Sequence, residues 1–543
     1  MGLCGAGAME QMLENAGGES RVSGFPPRLA GLLRADAYPH PVSEVRLLQT
    51  HMSWVLLAGD YAYKIKRPVF YPFVDFRDPA ARAHFCHEEL RLNRRFAPEL
   101  YLSVEPVCER DGSAVMSGAG VPLEHAVRMR RFDGSQELDQ LVLAGAVDPG
   151  ELRAFGAALA MRHEQQDVDA RTAACEVVSR TGEVLQTNLR ELRSVAAPAS
   201  LELGLDAVGS ALDRVLLEAI GSLSTRALGS RIRECHGDLH LSNIVRIGGV
   251  LVPFDCLEFD PRLRWIDVAD EVAFLYADLW AYGREDLARG FLAGYVETSG
   301  DYNLCRVLDL FIAHRALVRA KVLLLRSLED AGPVRALSRQ RSAGYVAVAS
   351  AALRRRQGRL VLMSGLSGSG KSWLATRAAA AAGALLVRSD VERKRLAGLK
   401  GLADSGSPLE GGIYTPRATG QTYGRLLRCA EDVVVGGRVA IVDATFLRRE
   451  QREPFARLAR ECGIECLLVE CVAPEAVIEA RIRDRQAAGG DPSEAGLDVL
   501  GLQRRIAEPV AEAEGIRVLR IDTSLADPLA QTLALGFSDS ARG

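Results

Sequence analysis

At 543 residues the chain is too long for one hydrophobic core and has room for two large domains or about three of ordinary size. Its formal net charge is −3 with a quarter of its residues charged, so no global balance points to nucleic acid or a charged surface as partner. No apolar run approaches about eighteen residues, which excludes a helical membrane span, and the eleven cysteines include no CxxC pair, which fits reduced thiols in a cytoplasmic protein better than a zinc site.

Residues 1 to about 35 read as a tail that ends in a short helix, Pro27–Arg34. From about residue 42 the chain turns to short β-prone runs, with Gly59-Asp60 as a hairpin turn between Ser53–Ala58 and Tyr61–Lys66. Arg77–Phe96 then carries apolar positions at helical spacing, together with His87, Glu88 and Glu89. A small sheet followed by a helix is the expected opening of the first domain. From 148 to 345 the pattern is mainly helical, most clearly over Glu151–Gln165, Glu183–Val195, Leu212–Leu223 and Leu304–Leu328.

Set into that helical region is His236-Gly-Asp238-Leu-His-Leu-Ser-Asn243, followed by a Gly248-Gly249 turn and an apolar strand that ends at Asp255. Asp238 and Asn243 stand five apart and Asp255 twelve further on, the D-x-x-x-x-N and strand-end Asp spacing of a phosphotransfer site. In that chemistry Asp238 orients or deprotonates an acceptor hydroxyl, while Asn243 and Asp255 hold magnesium against the ATP phosphates. Upstream, Lys64 on a strand is placed to pair the phosphates and to be held by a helix glutamate, Glu89 rather than Glu88.

Residues 36–340 resemble the aminoglycoside phosphotransferase branch of the protein-kinase-like fold, whose loop reads HGD-x-x-x-x-N. The resemblance implies a small sheet lobe with a helical lobe, His236 as a loop-fixing residue, Asp255 as the magnesium ligand and Asp267 as a structural acid. His240 is read as a surface or packing residue. One departure stands out: no Gly-rich loop precedes Lys64.

Residues 341–357 form the expected linker, closing on Arg354, Arg355 and Arg356, with Arg359 just beyond; that stripe reads as a solvated helix end or a phosphate contact. The most informative stretch follows. After the apolar run Leu360–Met363 come Gly365, Leu366, Ser367, Gly368, Ser369, Gly370, Lys371 and Ser372, then Ala-rich sequence of high helix propensity. This strand–GxxxxGKS–helix order is a P-loop. Glycines let backbone N–H groups converge on phosphate oxygens, the helix adds its positive end, Lys371 reaches the outer phosphates and Ser372 offers a hydroxyl to magnesium.

Apolar runs at 360–364, 384–388, 439–443, 466–472 and 517–521 alternate with helical sequence and predict a five-stranded parallel sheet over residues 358–538. Two acids close strands on the ligand side of such a sheet: Asp390, suited to act as base on an acceptor hydroxyl, and Asp443, suited to magnesium through water. Arg393 is placed to hold an anionic group of the acceptor. Arg481 and Arg485 share one helical face at the start of a lid-like stretch, and Arg485 is assigned to charge stabilisation in the transition state. These features resemble the P-loop kinase group of gluconate kinases, polynucleotide kinases and zeta-type toxins. No guanine-reading NKxD motif is present, which favours ATP.

The expected protein is therefore an α+β protein-kinase-like domain followed by an α/β P-loop domain, using ATP and Mg2+ to phosphorylate hydroxyls of small molecules, in two centres. Nucleic acid is not expected as a partner, although a 5′-hydroxyl end fits the acceptor chemistry. A second reading stays open, in which the P-loop half alone is a catalyst or an ATP-driven switch and the kinase-like half binds or regulates.

Overall fold

The computed structural model describes residues 24–71, 74–169, 172–197, 203–399, 413, 415–488 and 497–536. The chain divides into two compact units. One runs to Ala288 and takes up Leu310–Ala352; the other comprises Arg289–Asp309 and the chain from Leu353 onward.

The first unit opens with strands β1 (Val45–Gln49), β2 (Ser53–Ala58) and β3 (Tyr61–Lys66), the short pair β4 (Phe70–Tyr71) and β5 (Val74–Asp75), and helix α1 (Pro79–Arg94). Strands β6 (Tyr101–Arg110), β7 (Ser113–Met116) and β8 (Glu124–Arg130) complete an antiparallel sheet in the order β1-β2-β3-β8-β6-β7. The predicted hairpin is present: Ala58 pairs with Tyr61 across Gly59, whose φ of 58° is the left-handed conformation that glycine adopts without cost. Phe25, Leu29 and Leu32, placed by sequence in the tail, are buried in the core on one face of this sheet. Leu29 and Leu32 sit on a 3-10 turn, Pro27–Leu33.

The helical part contains α2 (Leu138–Leu143), α3 (Pro149–Gln165), α4 (Ala174–Ala196), α5 (Leu205–Leu228) and α6 (Val268–Ala281). Strand β9 (Ile232–Glu234) pairs with β12 (Trp265–Asp267), and β10 (Ile244–Ile247) forms a hairpin with β11 (Val250–Pro253). Helix α1 begins at Pro79, where the Asp78 side chain caps the amide of Ala80 at 3.1 Å. One core cluster joins Cys86 of α1, Val127 and Met129 of β8, and Val245, Val252 and Phe254 of the hairpin. That shared core sets the relative positions of β3, α1 and the end of β11. Helix α6 is almost wholly buried, including its acids Asp270, Glu271 and Asp278, and its start is capped by Asp267, which pairs with Arg226 at 2.7 and 2.8 Å; Asp267 is thus the structural acid expected from sequence.

Helices α7 (Glu285–Ser299) and α8 (Cys305–Glu329) contribute residues to both units, and α9 (Gly332–Ala352) closes the first. Residues 341–352, read as linker, continue α9, while Arg354–Arg356 beyond it are exposed.

The second unit is built on β13 (Arg359–Ser364), α10 (Lys371–Ala382), β14 (Leu385–Arg388), α11 (Ser389–Leu396), α12 (Pro416–Val435) and β15 (Val439–Asp443). It continues through α13 (Arg449–Cys462), β16 (Cys466–Val472), α14 (Glu475–Ala488), α15 (Leu497–Ile506), β17 (Arg517–Asp522) and α16 (Pro528–Gly536). The five strands are parallel in the order β14-β15-β13-β16-β17, as predicted. The apolar runs of β13, β14, β15 and β16 are almost wholly buried, the signature of parallel strands covered by helices, whereas the edge strand β17 is largely exposed apart from Ile521. Arg289–Asp309 is an integral part of this unit. Tyr302 donates to the carbonyl of Leu386 at 2.9 Å, Arg306 binds Glu431 and Asp432 at 2.8 and 2.5 Å, and Arg438 binds Asp309 at 2.5 Å.

Candidate active sites

In the first unit three elements converge on one ion cluster. Lys64 and Lys66 alternate by two on β3 and so share a face. Lys64 Nζ lies 2.8 Å from Glu89 Oε1 and Lys66 Nζ 2.7 Å from Glu89 Oε2, so Glu89 of α1 is the partner, as expected over Glu88. Lys64 also binds Asp255, and Lys66 binds Glu258. Burial disfavours the charge on Glu89, but the two ammonium groups hold its carboxyl at about 2. Burial opposes the charge of Lys64 too, and Asp255 and Glu89 keep it raised well above its ordinary value. Lys66 and Glu258 were not singled out from sequence; the period-two spacing from Lys64 and the position three after Asp255 are the signals that point to them.

Asp255 stands at φ 63°, a left-handed conformation unusual for a residue with a Cβ. The strain is held from both sides: the Asp255 amide donates to Tyr101 Oη at 3.0 Å, and the Cys256 amide donates to buried Asn93 Oδ1 at 2.9 Å.

The loop between β9 and β10 carries the other candidate residues. Its His236 is fully buried, with Nε2 2.8 Å from the Phe254 carbonyl, so it fixes the loop to the end of β11 as the sequence implied. The His236 and Gly237 amides donate to the two oxygens of buried Glu271 at 2.7 and 3.0 Å. Burial pushes that carboxyl up to about 7 against the pull of Arg315. Arg315 in turn donates to the Gly237 carbonyl at 3.2 Å and pairs with Asp270.

Asn243 Nδ2 donates to both the carbonyl and Oδ2 of Asp238 at 3.0 Å, which locks the two residues together. Burial works against charge on Asp238, but His240, 3.6 Å away, and Arg319 hold its carboxyl well below the ordinary range. His240 is buried against Phe274, so it packs and does not face solvent.

Lys64, Asp238, Asp255 and Glu258 line one cavity with Met52, Ser53 and Phe259. Where a Gly-rich loop would lie, β1 and β2 are joined by a tight turn in which Thr50 Oγ1 accepts from the Ser53 amide at 2.9 Å. Magnesium suits this site: Asn243, bonded to Asp238, leaves its Oδ1 buried without a protein partner, Asp238 and Asp255 line the same cavity, and such oxygens are what the ion binds.

In the second unit the P-loop joins β13 to α10. Gly365, Gly368 and Gly370 have φ of 140°, 81° and 85°. A Cβ on Gly365 would sit 2.5 Å from the Cys471 carbonyl and one on Gly368 2.7 Å from that of Ile478. No other residue fits. The Gly365 amide is taken by the Thr445 carbonyl, that of Ser369 by Leu366, and that of Ser367 by Gln503 Oε1 at 2.8 Å. Among the described residues no protein acceptor meets the amides of Gly368, Gly370, Lys371 and Ser372, which are the ones grouped at the start of α10.

Asp443 ends β15 with Oδ1 buried and without a protein partner, while Arg388 Nε lies 3.8 Å from Oδ2. That open oxygen and the hydroxyl of Ser372 fit a hydrated magnesium ion. Asp390, in the first turn of α11, has its carboxyl pushed up by burial and by Asp443, with Lys371 pulling the other way. Arg393 donates to the Ile413 carbonyl at 2.9 Å and to Thr419 Oγ1 at 3.2 Å.

On α14, Arg481 is tied to the loop through Thr523. It holds Thr523 at 2.9 and 3.0 Å, and Thr523 Oγ1 donates to the Ser369 carbonyl at 2.6 Å. Arg485 is part-buried one turn further along. The end of the lid-like stretch, 489–496, lies outside the described residues.

A protein-kinase-like domain fused to a P-loop domain is the class of protein these features define. A family model described as an AAA domain matches residues 360–510. Uncharacterized protein Rv2004c of Mycobacterium tuberculosis is 32% identical over 462 residues, 84% of this chain and 89% of the relative, a match that spans both units. The chain belongs to the same family as that protein.

Among solved structures, a sugar kinase from Janibacter sp. HTCC2649 is similar at 20% identity with a TM-score of 0.26, covering 33% of this chain and 93% of its own. A choline/ethanolamine kinase family protein from Mesorhizobium loti is similar at 14% identity with a TM-score of 0.32, covering 58% and 93%.

Proposed function

We propose that the chain is an ATP- and magnesium-dependent phosphotransferase with two centres, each passing the terminal phosphate of ATP to a hydroxyl of a small molecule. One observation carries the reading: each unit sets a lysine and a carboxylate suited to an acceptor hydroxyl beside a buried oxygen open to a metal. The trios are Lys64, Asp238 and Asn243 Oδ1 in the first unit, and Lys371, Asp390 and Asp443 Oδ1 in the second.

In the first centre Asp238 stays ionised and orients the acceptor hydroxyl, Asn243 and Asp255 hold the ion, and Lys64 neutralises phosphate. In the second, Asp390 takes the hydroxyl proton, with its raised carboxyl better matched to that task than an ordinary aspartate. Lys371 and the free amides of the loop hold phosphate, and Ser372 and Asp443 hold the ion. Magnesium, when bound, neutralises the charge of the transferring phosphoryl group. Arg485 and Arg393 are assigned to transition-state charge and to the acceptor, and Arg481, by its bond to Thr523, shares the first of these roles. Within a cell the acceptor is a cytoplasmic metabolite.

The test is ATP turnover by the full chain, Lys371→Ala and Asp238→Asn across sugars, sugar acids, aminoglycosides and 5′-hydroxyl oligonucleotides. Stimulation that one variant loses assigns that acceptor to that half. A chain that binds ATP but responds to no acceptor counts against the reading.

A second reading is supported by the grip of Lys64 on Asp255 and the Gly-free turn above it, which fit a first unit that binds or regulates while the P-loop unit does the chemistry. It requires Asp238→Asn to leave total turnover unchanged while Asp390→Asn abolishes it.

A further inference from the structure

Gln503 has no part in the motif read from sequence, yet its side chain takes up a backbone amide of the P-loop. Its position is built. Leu500 and Gln503 are three apart on α15 and so share a face. Leu500 packs in one cluster with Ile478, Ile482 and Leu366, while Gln503 Oε1 accepts from the buried amide of Ser367 at 2.8 Å. Helix α15 is held at both sides: Arg504 pairs with Glu475 at 2.5 Å, and beyond its end Glu508 Oε2 accepts from the Arg449 amide at 2.7 Å. Buried Arg452 adds bonds to the Glu508 and Pro509 carbonyls at 3.1 and 3.2 Å.

An amide donor at Ser367 fixes the orientation of the Gln503 carboxamide. The oxygen faces the loop, so the NH2 group, with two donors, faces away from it. Gln503 itself is only half-buried, so that group is within reach of a ligand. The sheet order gives the direction. Asp390 follows β14 and Asp443 ends β15 on one side of β13, whereas α15 comes after β16 on the other side and packs through Leu500 on Leu366 of the loop and Ile478 of α14. A terminal phosphate in front of the loop lies between those two sides.

We propose that Gln503 is a further nucleotide-binding residue of the P-loop centre. It takes up the Ser367 amide with its oxygen and donates with its nitrogen to the terminal phosphate of the nucleotide. The proposal rests on the reading that this unit binds magnesium-ATP. It accounts for a loop amide committed to a side chain beside four, those of Gly368, Gly370, Lys371 and Ser372, that meet no protein acceptor among the described residues: the donor is moved outward, from the loop to the end of a side chain.

The full-length protein is titrated calorimetrically with Mg-ATP and with Mg-ADP, and the component lost in Lys371→Ala defines the P-loop site. Gln503→Leu is expected to weaken Mg-ATP roughly 10-fold there while changing Mg-ADP by less than about twofold. Gln503→Glu keeps an acceptor for Ser367 but sets an anionic oxygen where the NH2 stood, and is expected to weaken Mg-ATP more, by roughly 100-fold.

A Gln503→Glu variant that binds Mg-ATP as the wild type does would show that Gln503 only braces the loop and would overturn the proposal. So would a Gln503→Leu variant that loses Mg-ADP as strongly as Mg-ATP. A wild-type chain with no Lys371-dependent component overturns the nucleotide reading of the unit together with this one; a Lys371-dependent component with either variant result above overturns only the role of Gln503.

Discussion

Glu89→Gln is expected to cost the first unit about 3 kcal/mol of stability at neutral pH. The carboxylate is fully buried and bonded to Lys64 at 2.8 Å and Lys66 at 2.7 Å. Burial alone would raise its pKa, yet the two lysines hold it at about 2 where a free glutamate stands at 4.5. At about 1.36 kcal/mol for each pH unit, that displacement is worth roughly 3 kcal/mol. The figure falls at the lower end of the roughly 3–5 kcal/mol seen when one partner of a buried ion pair is removed.

The sign follows from the direction. A carboxyl depressed in the fold stabilises it fully above about pH 4.5, and the contribution fades as pH falls toward 2. Urea unfolding reads this directly in a Trp373→Phe background, where the remaining tryptophans, Trp54, Trp265 and Trp280, all belong to the first unit. With a slope of roughly 3 kcal/mol per molar urea, the midpoint should move down by about 1 M at pH 7, and the gap should narrow below pH 4.5. A gap under about 1 kcal/mol at pH 7, or one that stays constant into acid, would refute the account of the cluster.

Asp443→Asn should weaken magnesium dependence of the P-loop centre roughly 10- to 100-fold while leaving metal-free nucleotide binding in place, as read by titrating Mg2+ at fixed ATP. Gly368→Ala puts a Cβ 2.7 Å from the Ile478 carbonyl at a φ of 81°, so nucleotide affinity at that centre should fall at least about tenfold with the rest of the fold retained by circular dichroism. Glu271 is raised in the fold to about 7, so wild-type stability should decline as pH rises from about 4.5 to 7 through this group. Glu271→Gln should remove that slope in thermal unfolding between pH 5 and 8; an unchanged slope would count against the assignment.

The sheet of the second unit was legible from residue spacing, and the fold of the first through the resemblance carried by its His236–Asn243 loop and Asp255. The five apolar runs of the second unit and the Gly59-Asp60 hairpin rest on local patterning, which is what a sequence carries, while Glu89 was picked over Glu88 as the helix partner that the chemistry of a phosphate-pairing lysine demands. The P-loop was legible because each glycine answers a specific steric demand, visible in the 2.5 and 2.7 Å approaches at Gly365 and Gly368.

The contacts that escaped the sequence join residues far apart in the chain. Lys66 needs Glu258, 192 positions away, and Gln503 needs Ser367, 136 positions away; neither helix nor strand spacing predicts such a pair. His240 was legible only as packing or surface, since its burial against Phe274 depends on where α6 lands.

The discontinuity of the second unit bears on how the chain is made. Arg289–Asp309 leaves the ribosome well before β13, yet Tyr302, Arg306 and Asp309 find their partners on β14, α12 and Arg438. During synthesis this segment must wait, its bonding groups still in water, until the sheet that receives it has been translated. Translation begun at the strand before the P-loop would yield a sheet lacking one of its own surface layers, with Asp432 stripped of Arg306 and Asn303. The order of folding is thereby written into the order of the gene: the earlier piece is completed by the later one.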